Sequence, residues 1–189
     1  KAFLNQRIII NIDPSKAQQN NSYLFIDTCV IQAAGSKEKL KSEIVISELE
    51  KIAKDYSLAI SEFTLYENLH GLWGKRRSDA AKLLRIYERK VVSDKVLLIA
   101  SLLGGLYHDE NLEGIDVGDK IIAATAILEN GFVLTENHKD FPHPFFLTER
   151  SIPLTCLTAG KYSKTIDLAI YRPDHNLIKR RINEADSKK

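Results

Sequence analysis

Four acidic residues stand where a parallel α/β sheet would gather them, and their shared chemistry is that of hard oxygen ligands. Asp27 follows directly on Tyr23-Leu24-Phe25-Ile26, a short continuous apolar run of the kind buried on both faces. Asp119 lies in the first turn of a helix whose body, 121–128, is almost wholly apolar. Asp140, with Asn137 before it, follows a second buried run, Phe132-Val133-Leu134-Thr135. Glu67 sits on a helix that opens at Ser61 and runs to about 73. There it borders an apolar arc of Phe63, Leu65, Tyr66, Leu69, Leu72 and Trp73. Carboxylates in such a cluster suit Mg2+ or Mn2+, which take one or two of them and retain several waters. An ion of that kind lowers the pKa of water, orients it toward phosphorus and stabilises the leaving oxygen. The chain offers no Ser-His-Asp set, no G-x-x-x-x-G-K-[ST] phosphate loop and no Cys/His zinc spacing.

Each acid also has a purely structural use. Asp27 can cap the helix after its strand, and Asp140 can stabilise a turn. Asp116 and Asp119 can be a cap and its N3 partner, favoured by the helix dipole. Glu67 can lie on the core edge with its head in water. Taken together, however, these acids come from separate segments that converge with no paired basic residue in the motifs.

The elements that must position them alternate. Strands are expected at 23–26, 58–60, 132–135 and 165–171. Helical patterns run from 30 to 53 with a break at Gly35-Ser36-Lys37, then over 61–73, 75–90, 95–107 and 116–128, and last in a basic helix ending at Lys179-Arg180-Arg181. Residues 142–164 read as a Pro-containing loop, and Asp13 to Ser22 as a linker after a β-branched run at 7–12. This order implies a three-layer α/β/α fold with a central, mainly parallel sheet. Ligands of such sheets bind beyond the carboxyl ends of the strands, where these acids would arrive.

With 44% apolar residues, the 189-residue chain can build one core, so a single domain over 1–189 is expected. Its core would span about 23–141, with an N-terminal extension at 1–21 and a C-terminal strand–helix addition at about 150–189. A net charge of +2 permits a nucleic-acid partner without arguing for one. Cys29 and Cys156 form no C-x-x-C pair, which favours a reducing, cytoplasmic setting. No apolar window is long enough to span a bilayer, and the first residues do not read as a signal peptide.

Four segments resemble the PIN-domain family, in particular its VapC-type toxins. They are Leu24-Phe25-Ile26-Asp27-Thr28-Cys29, Ser61-Glu62-Phe63-Thr64-Leu65-Tyr66-Glu67-Asn68-Leu69, Gly118-Asp119-Lys120-Ile121-Ile122-Ala123-Ala124-Thr125-Ala126 and Leu134-Thr135-Glu136-Asn137-His138-Lys139-Asp140. The resemblance implies a PIN-like fold and a Mg2+- or Mn2+-dependent ribonuclease, often the toxin of a toxin–antitoxin pair. Such a protein would be a homodimer inhibited by a small antitoxin. By position, Asp27 and Asp119 would be the principal metal ligands, and Glu67 would complete the acidic cluster. Asp140 would supply the fourth catalytic charge, because Asn137 stands where relatives often carry an acid. Thr28, Thr135 and Asn137 would support the carboxylates from behind. RNA contacts would fall to Lys75, Arg76, Arg77, His138 and Lys139, which can equally be solvated loop charges. Dimer contacts would come from helical surface within 44–106, including Trp73 and Tyr87.

Two departures point another way. Cys29 replaces the Asn of many relatives, and with Asn137 it favours a non-catalytic PIN-like scaffold that binds RNA or protein. A haloacid-dehalogenase-type phosphatase is disfavoured, because Cys29 stands where that family carries a second Asp.

Overall fold

The computed structural model describes residues 22–157 and 163–186. The reading of 1–21 as a β-branched run and linker lies outside the described residues. Six strands form one sheet: β1 (Tyr23–Ile26), β2 (Ser57–Ser61), β3 (Glu88–Lys90), β4 (Phe132–Thr135), β5 (Phe146–Leu157) and β6 (Ser163–Pro173), in the order β3-β2-β1-β4-β6-β5. The first four are parallel; β6 runs antiparallel to β4, and β5 antiparallel to β6. The helices are α1 (Thr28–Ala34), α2 (Lys39–Ile52), α3 (Glu62–Leu69), α4 (Gly74–Leu84), α5 (Asp94–Asp109), α6 (Val117–Leu128) and α7 (His175–Asp186). The expected mainly parallel three-layer α/β/α architecture is thus present.

Strand alternation divides the core in two. Leu24, Ile26, Leu58, Ile60 and Leu134 pack with Val30, Val45, Leu49 and Ile52 on the face covered by α1 and α2. Phe25, Ala59 and Val133 turn to the other face, against Val96, Leu103, Ile122 and Ala126 of α5 and α6. One buried acid on the first face, Glu48 of α2, is matched by Lys51 at 2.9 Å and by Arg150 of β5 at 3.7 Å.

Three elements differ from the sequence reading, each for a physical reason. The helix expected over 75–90 stops at Leu84, and Glu88-Arg89-Lys90 becomes the edge strand β3. Its three charges hide the strand from any hydrophobic pattern, and they suit an edge that must not recruit further strands. Lys90 Nζ lies 2.8 Å from Glu88, 3.2 Å from Glu129 and 3.7 Å from the centre of the Tyr23 ring, fixing that edge. The segment read as a Pro-containing loop contains β5, in which Ile152 and Leu154 are buried while Pro153 and Thr155 face solvent. Pro153 is tolerated because β5 is the outer strand. The helix expected over 61–73 ends at Leu69, where His70, Gly71 at φ 71° and Gly74 at φ 55° turn the chain into α4. Trp73 therefore leaves the apolar arc and is 83% exposed, while Tyr66, within α3, is 57% exposed. Tyr87 is buried instead, in the α2-side core, and offers no contact surface.

Candidate active site

The strand order reverses direction on either side of β1, since β2 lies to one side and β4 to the other. A crevice opens at the carboxyl ends of strands where an α/β sheet makes this change. Here it is a cavity of about 260 Å3 whose lining includes Asp27, Glu67, Asp116, Asp119, Asn137 and Asp140. Four separate elements contribute: the end of β1, the middle of α3, the start of α6 and the short 3-10 turn His138–Asp140 after β4.

Asp27 is the most firmly held. Its backbone N–H donates to Leu134 O at 3.0 Å, tying the end of β1 to β4. Its Oδ1 caps α1 by accepting from Thr28 N at 2.6 Å. Its Oδ2 accepts from Thr135 Oγ1 at 2.6 Å and from Cys29 Sγ at 3.2 Å. Thr135 Oγ1 in turn accepts from Asn137 N at 2.8 Å, so the hydroxyl has its direction fixed toward Asp27. Cys29 plays the donor's part expected of an amide at that position. Burial, then the charge of Asp27, pushes its thiol up to about 12, so it stays protonated and donates.

Glu67 accepts from Thr28 Oγ1 at 2.5 Å, which aims it from α3 toward Asp27. Burial raises its pKa, and the charges of Asp27 and Asp116 add to that against the Thr28 bond. Asp119 approaches from α6, whose first turn lies hard against α3. A Cβ added to Gly118 would sit 2.3 Å from Phe63 Cε1, so only glycine permits this approach. Asp116 caps α6 and accepts from Asp119 N at 3.0 Å, the cap-and-partner arrangement legible in their spacing. Asp140 is buried and accepts from Asn137 Nδ2, so the amide at 137 supports the acid three residues on.

The electrostatics of the cavity are those of crowded like charges. Burial first, then Asp140, Asp116 and Asp27, hold the Asp119 carboxyl well above the usual carboxylate range. Burial also raises Asp140, with Lys139 opposing the rise and Asp27 and Asp116 adding to it. A cation in the cavity would relieve this repulsion, and the donor set is all hard oxygen, which fits Mg2+ or Mn2+. Among the described residues no three His, Cys, Asp or Glu side chains form a ready-made cage. The arrangement fits an ion that takes one or two carboxylates directly and keeps water in the rest of its shell.

The expected site residues thus divide. Asp27, Thr28, Glu67, Asp119, Asn137, Lys139 and Asp140 line one cavity, and Thr135 supports it from behind. Lys75, Arg76 and Arg77 are exposed on the first turn of α4 and line no part of it; Arg77 Nη1 donates to Leu69 O at 3.2 Å. His138 pairs its Nδ1 with Tyr171 Oη at 3.0 Å, and its Nε2 stands 3.6 Å from Asp167. Lys139 corrects the expectation of an acidic cluster without a basic partner. Sequence reasoning left Asp116, Gln32 and Gly114 out of the lining; only Asp116 carried a signal, its place three residues before Asp119. A larger groove of about 890 Å3 lies between α5 and α7, but its Glu110 is already matched by Arg181.

Comparison with known proteins agrees with this geometry. The family model described as "PIN domain" matches residues 24–144. No curated protein matches the chain. Among solved structures, a toxin–antitoxin complex from Klebsiella pneumoniae is similar at 22% identity and a TM-score of 0.50, over 64% of this chain and 92% of that one. VapBC2 from Rickettsia felis, bound to a DNA fragment from its promoter, is similar at 25% identity and a TM-score of 0.50, over 61% and 88%. With the matched model covering all five acids of the cavity, the chain belongs to the PIN-domain family.

Proposed function

We propose that this protein is a Mg2+- or Mn2+-dependent endoribonuclease, hydrolysing RNA phosphodiester bonds in the cytoplasm as the toxin of a toxin–antitoxin pair. The observation that carries the reading is the convergence of Asp27, Glu67, Asp119 and Asp140 from four elements into one cavity at the carboxyl edge of the sheet. The two similar structures, a toxin–antitoxin complex and VapBC2, support the toxin assignment and an antitoxin partner.

In this reading Asp27 and Asp119 hold the ion, and Glu67 completes the acidic cluster directly or through water. When bound, the ion supplies Lewis-acid activation of water and charge neutralisation at the phosphate. Thr135 and Cys29 keep Asp27 in one rotamer, and Thr28 does the same for Glu67, so the donors are oriented before substrate arrives. Asp140, raised by burial and supported by Asn137, can exchange a proton at the cavity wall. Lys139, within the lining, offers its ammonium to a phosphate. His138 stands next to it, and Lys75, Arg76 and Arg77 would hold the strand farther out. A scaffold that cuts nothing loses its argument from Cys29, whose thiol serves Asp27 as an amide would.

The test is cleavage of single-stranded RNA with Mg2+ or Mn2+, with EDTA, and with Asp119→Asn. The reading expects cleavage that EDTA and the variant both abolish; cleavage that survives both would remove it. A homodimer belongs to the same proposal, with exposed Trp73, Leu97 and Leu98 as apolar contact surface, at 83%, 48% and 62% exposure. Light scattering that finds a monomer at high micromolar concentration would count against the dimer.

A further inference from the structure

The helix that brings Glu67 to the cavity also carries a row of rings. Phe63, Tyr66 and His70 stand three and four residues apart on α3 and its C-cap, so they share one stripe with Glu67. The ring centres of Phe63 and Tyr66 lie 5.8 Å apart with their planes at 44°, and those of Tyr66 and His70 5.3 Å apart at 51°. The row begins at the acids. Phe63 packs against Gly118, the residue before Asp119, and Tyr66 directly precedes Glu67. It ends at positive charge. Past His70, Arg77 Nη1 donates to Leu69 O at 3.2 Å, and Lys75 and Arg76 are exposed on the same turn of α4.

Core packing accounts only for the inner ring. Phe63 is half-buried against the α5–α6 side of the core, whereas Tyr66 is 57% exposed and His70 is exposed too. Val117, beside Gly118, is 66% exposed and widens the apolar rim of the cavity. A single exposed ring needs no explanation, but a contiguous row leading from an acidic cavity to a basic turn does. Aromatic faces stack on the bases of single-stranded nucleic acid, and they accept any base, because every base has a π-face. The order along α3 is the order in which a strand would use it: outer phosphates at the α4 turn, bases on the rings, the reacting phosphate at the acids.

We propose that Tyr66 and His70, backed by Phe63, form a base-stacking ledge that holds single-stranded RNA by the nucleotides next to the phosphate in the cavity. The inference rests on the ribonuclease reading and deepens it, since a ledge of this kind selects unpaired strands whose bases are free to stack.

Tyr66→Ala tests it, with Tyr66→Trp as the variant that keeps a stacking face. Binding of a labelled single-stranded RNA is followed by fluorescence anisotropy in an Asp119→Asn background, where the strand is held and not cut. Cleavage is followed with Asp119 present and resolved into kcat and KM. Tyr66→Ala should raise Kd and KM by about 5-fold or more, with kcat and melting temperature little changed. Tyr66→Trp should restore both constants. The loss should be the same at low and high salt, because stacking releases no counterions, whereas Arg76→Ala should flatten the salt dependence. One abasic nucleotide walked along the RNA should find a position that weakens binding to Tyr66 protein and costs Tyr66→Ala nothing further. A Tyr66→Ala protein with unchanged Kd and unchanged response to every abasic position would overturn the ledge and leave the nuclease reading intact. So would a variant that light scattering shows to have lost self-association while its RNA affinity stays, since the ring would then be a protein contact. Tyr66-dependent binding by a protein that cuts no RNA in Mn2+ would uphold the ledge and overturn the nuclease reading instead.

Discussion

Replacing Asp119 and Asp27 by asparagine should move the metal-free stability in opposite directions, although both acids belong to one cavity. The cavity holds about 260 Å3. A round space of that size is about 8 Å across, and two unit charges so separated repel by roughly 0.5 kcal/mol in water and roughly 2 kcal/mol at an effective dielectric of about 20. Asp119 feels Asp140, Asp116 and Asp27, and the hydrogen bonds of its carboxyl run to acids rather than to neutral donors. Asp119→Asn should therefore stabilise the metal-free protein by on the order of 1 kcal/mol, or about 2–4 °C in melting temperature. Asp27 feels the same repulsion but accepts from Thr28 N, Thr135 Oγ1 and Cys29 Sγ. An asparagine keeps one acceptor and turns an NH2 toward donors, and Thr135 cannot simply reverse, since its oxygen already accepts from Asn137 N. Charge-assisted bonds of this kind contribute about 1.5–3 kcal/mol each, so Asp27→Asn should destabilise by roughly 1–2 kcal/mol after the relieved repulsion is set against them. The assay is thermal melting of wild type and both variants, in EDTA and in saturating Mn2+. Wild type should gain about 2.7 kcal/mol at 100 times the dissociation constant, and both variants should lose most of that gain. If Asp119→Asn melts below wild type in EDTA and Mn2+ does not stabilise wild type, the cluster is structural and the site assignment is wrong.

The advantage of Asp119→Asn over wild type should depend on pH. The folded state holds this carboxyl's pKa above its unfolded value, so the stability tied to its proton is present below about pH 4 and lost as pH rises through the raised pKa. Melting in EDTA should thus show the two proteins level near pH 4 and the variant gaining toward neutral pH; a constant gap would refute the repulsion argument. Cys29, its thiol held up to about 12, should resist iodoacetamide at pH 8 in the folded protein, and mass spectrometry showing rapid labelling there would contradict the hydrogen bond to Asp27. Gly118→Ala should destabilise by about 1–3 kcal/mol through overpacking against Phe63 and should weaken Mn2+ binding by pushing Asp119 away. An unchanged melting temperature would show that α3 and α6 can part without cost.

The sequence made visible what hydrophobic pattern controls. Strands β1 and β4 are almost wholly apolar and are followed at once by Asp27 and the 136–140 segment, so their role and the end at which the acids emerge were both legible. Strands β3 and β5 were not, because each lies at an edge of the sheet. There one face or more meets water and the pattern is set by charge in β3 and interrupted by Pro153 in β5. The same limit applied to α3, where periodicity alone could not tell that Gly71 would turn the chain and leave Trp73 in solvent.

The structural and functional uses of the acids are not alternatives here. Asp27 caps α1 with one oxygen and presents the other to the cavity under the control of Thr135 and Cys29. Asp116 caps α6, and through that cap it fixes the first turn on which Asp119 stands. A ligand held by a cap is attached to backbone, which cannot rotate away as a free side chain would. This explains how a cavity of crowded carboxylates is held together by the chain itself. The bonds that orient Asp27 and Glu67 are made to neutral donors and helix ends, whose contribution does not vanish when the repulsion rises. The cost of the repulsion then falls on Asp119 and Asp140, whose carboxyls are raised by burial and by the charges of their acidic neighbours. These two are the acids whose properties an ion should change most. The order of response to Mn2+ should therefore be readable by NMR of the carboxyl carbons: Asp119 and Asp140 shift most, Glu67 less and Asp27 least. A titration in which Asp27 moves most would mean that the capped acid, not the strained pair, is the principal point of contact.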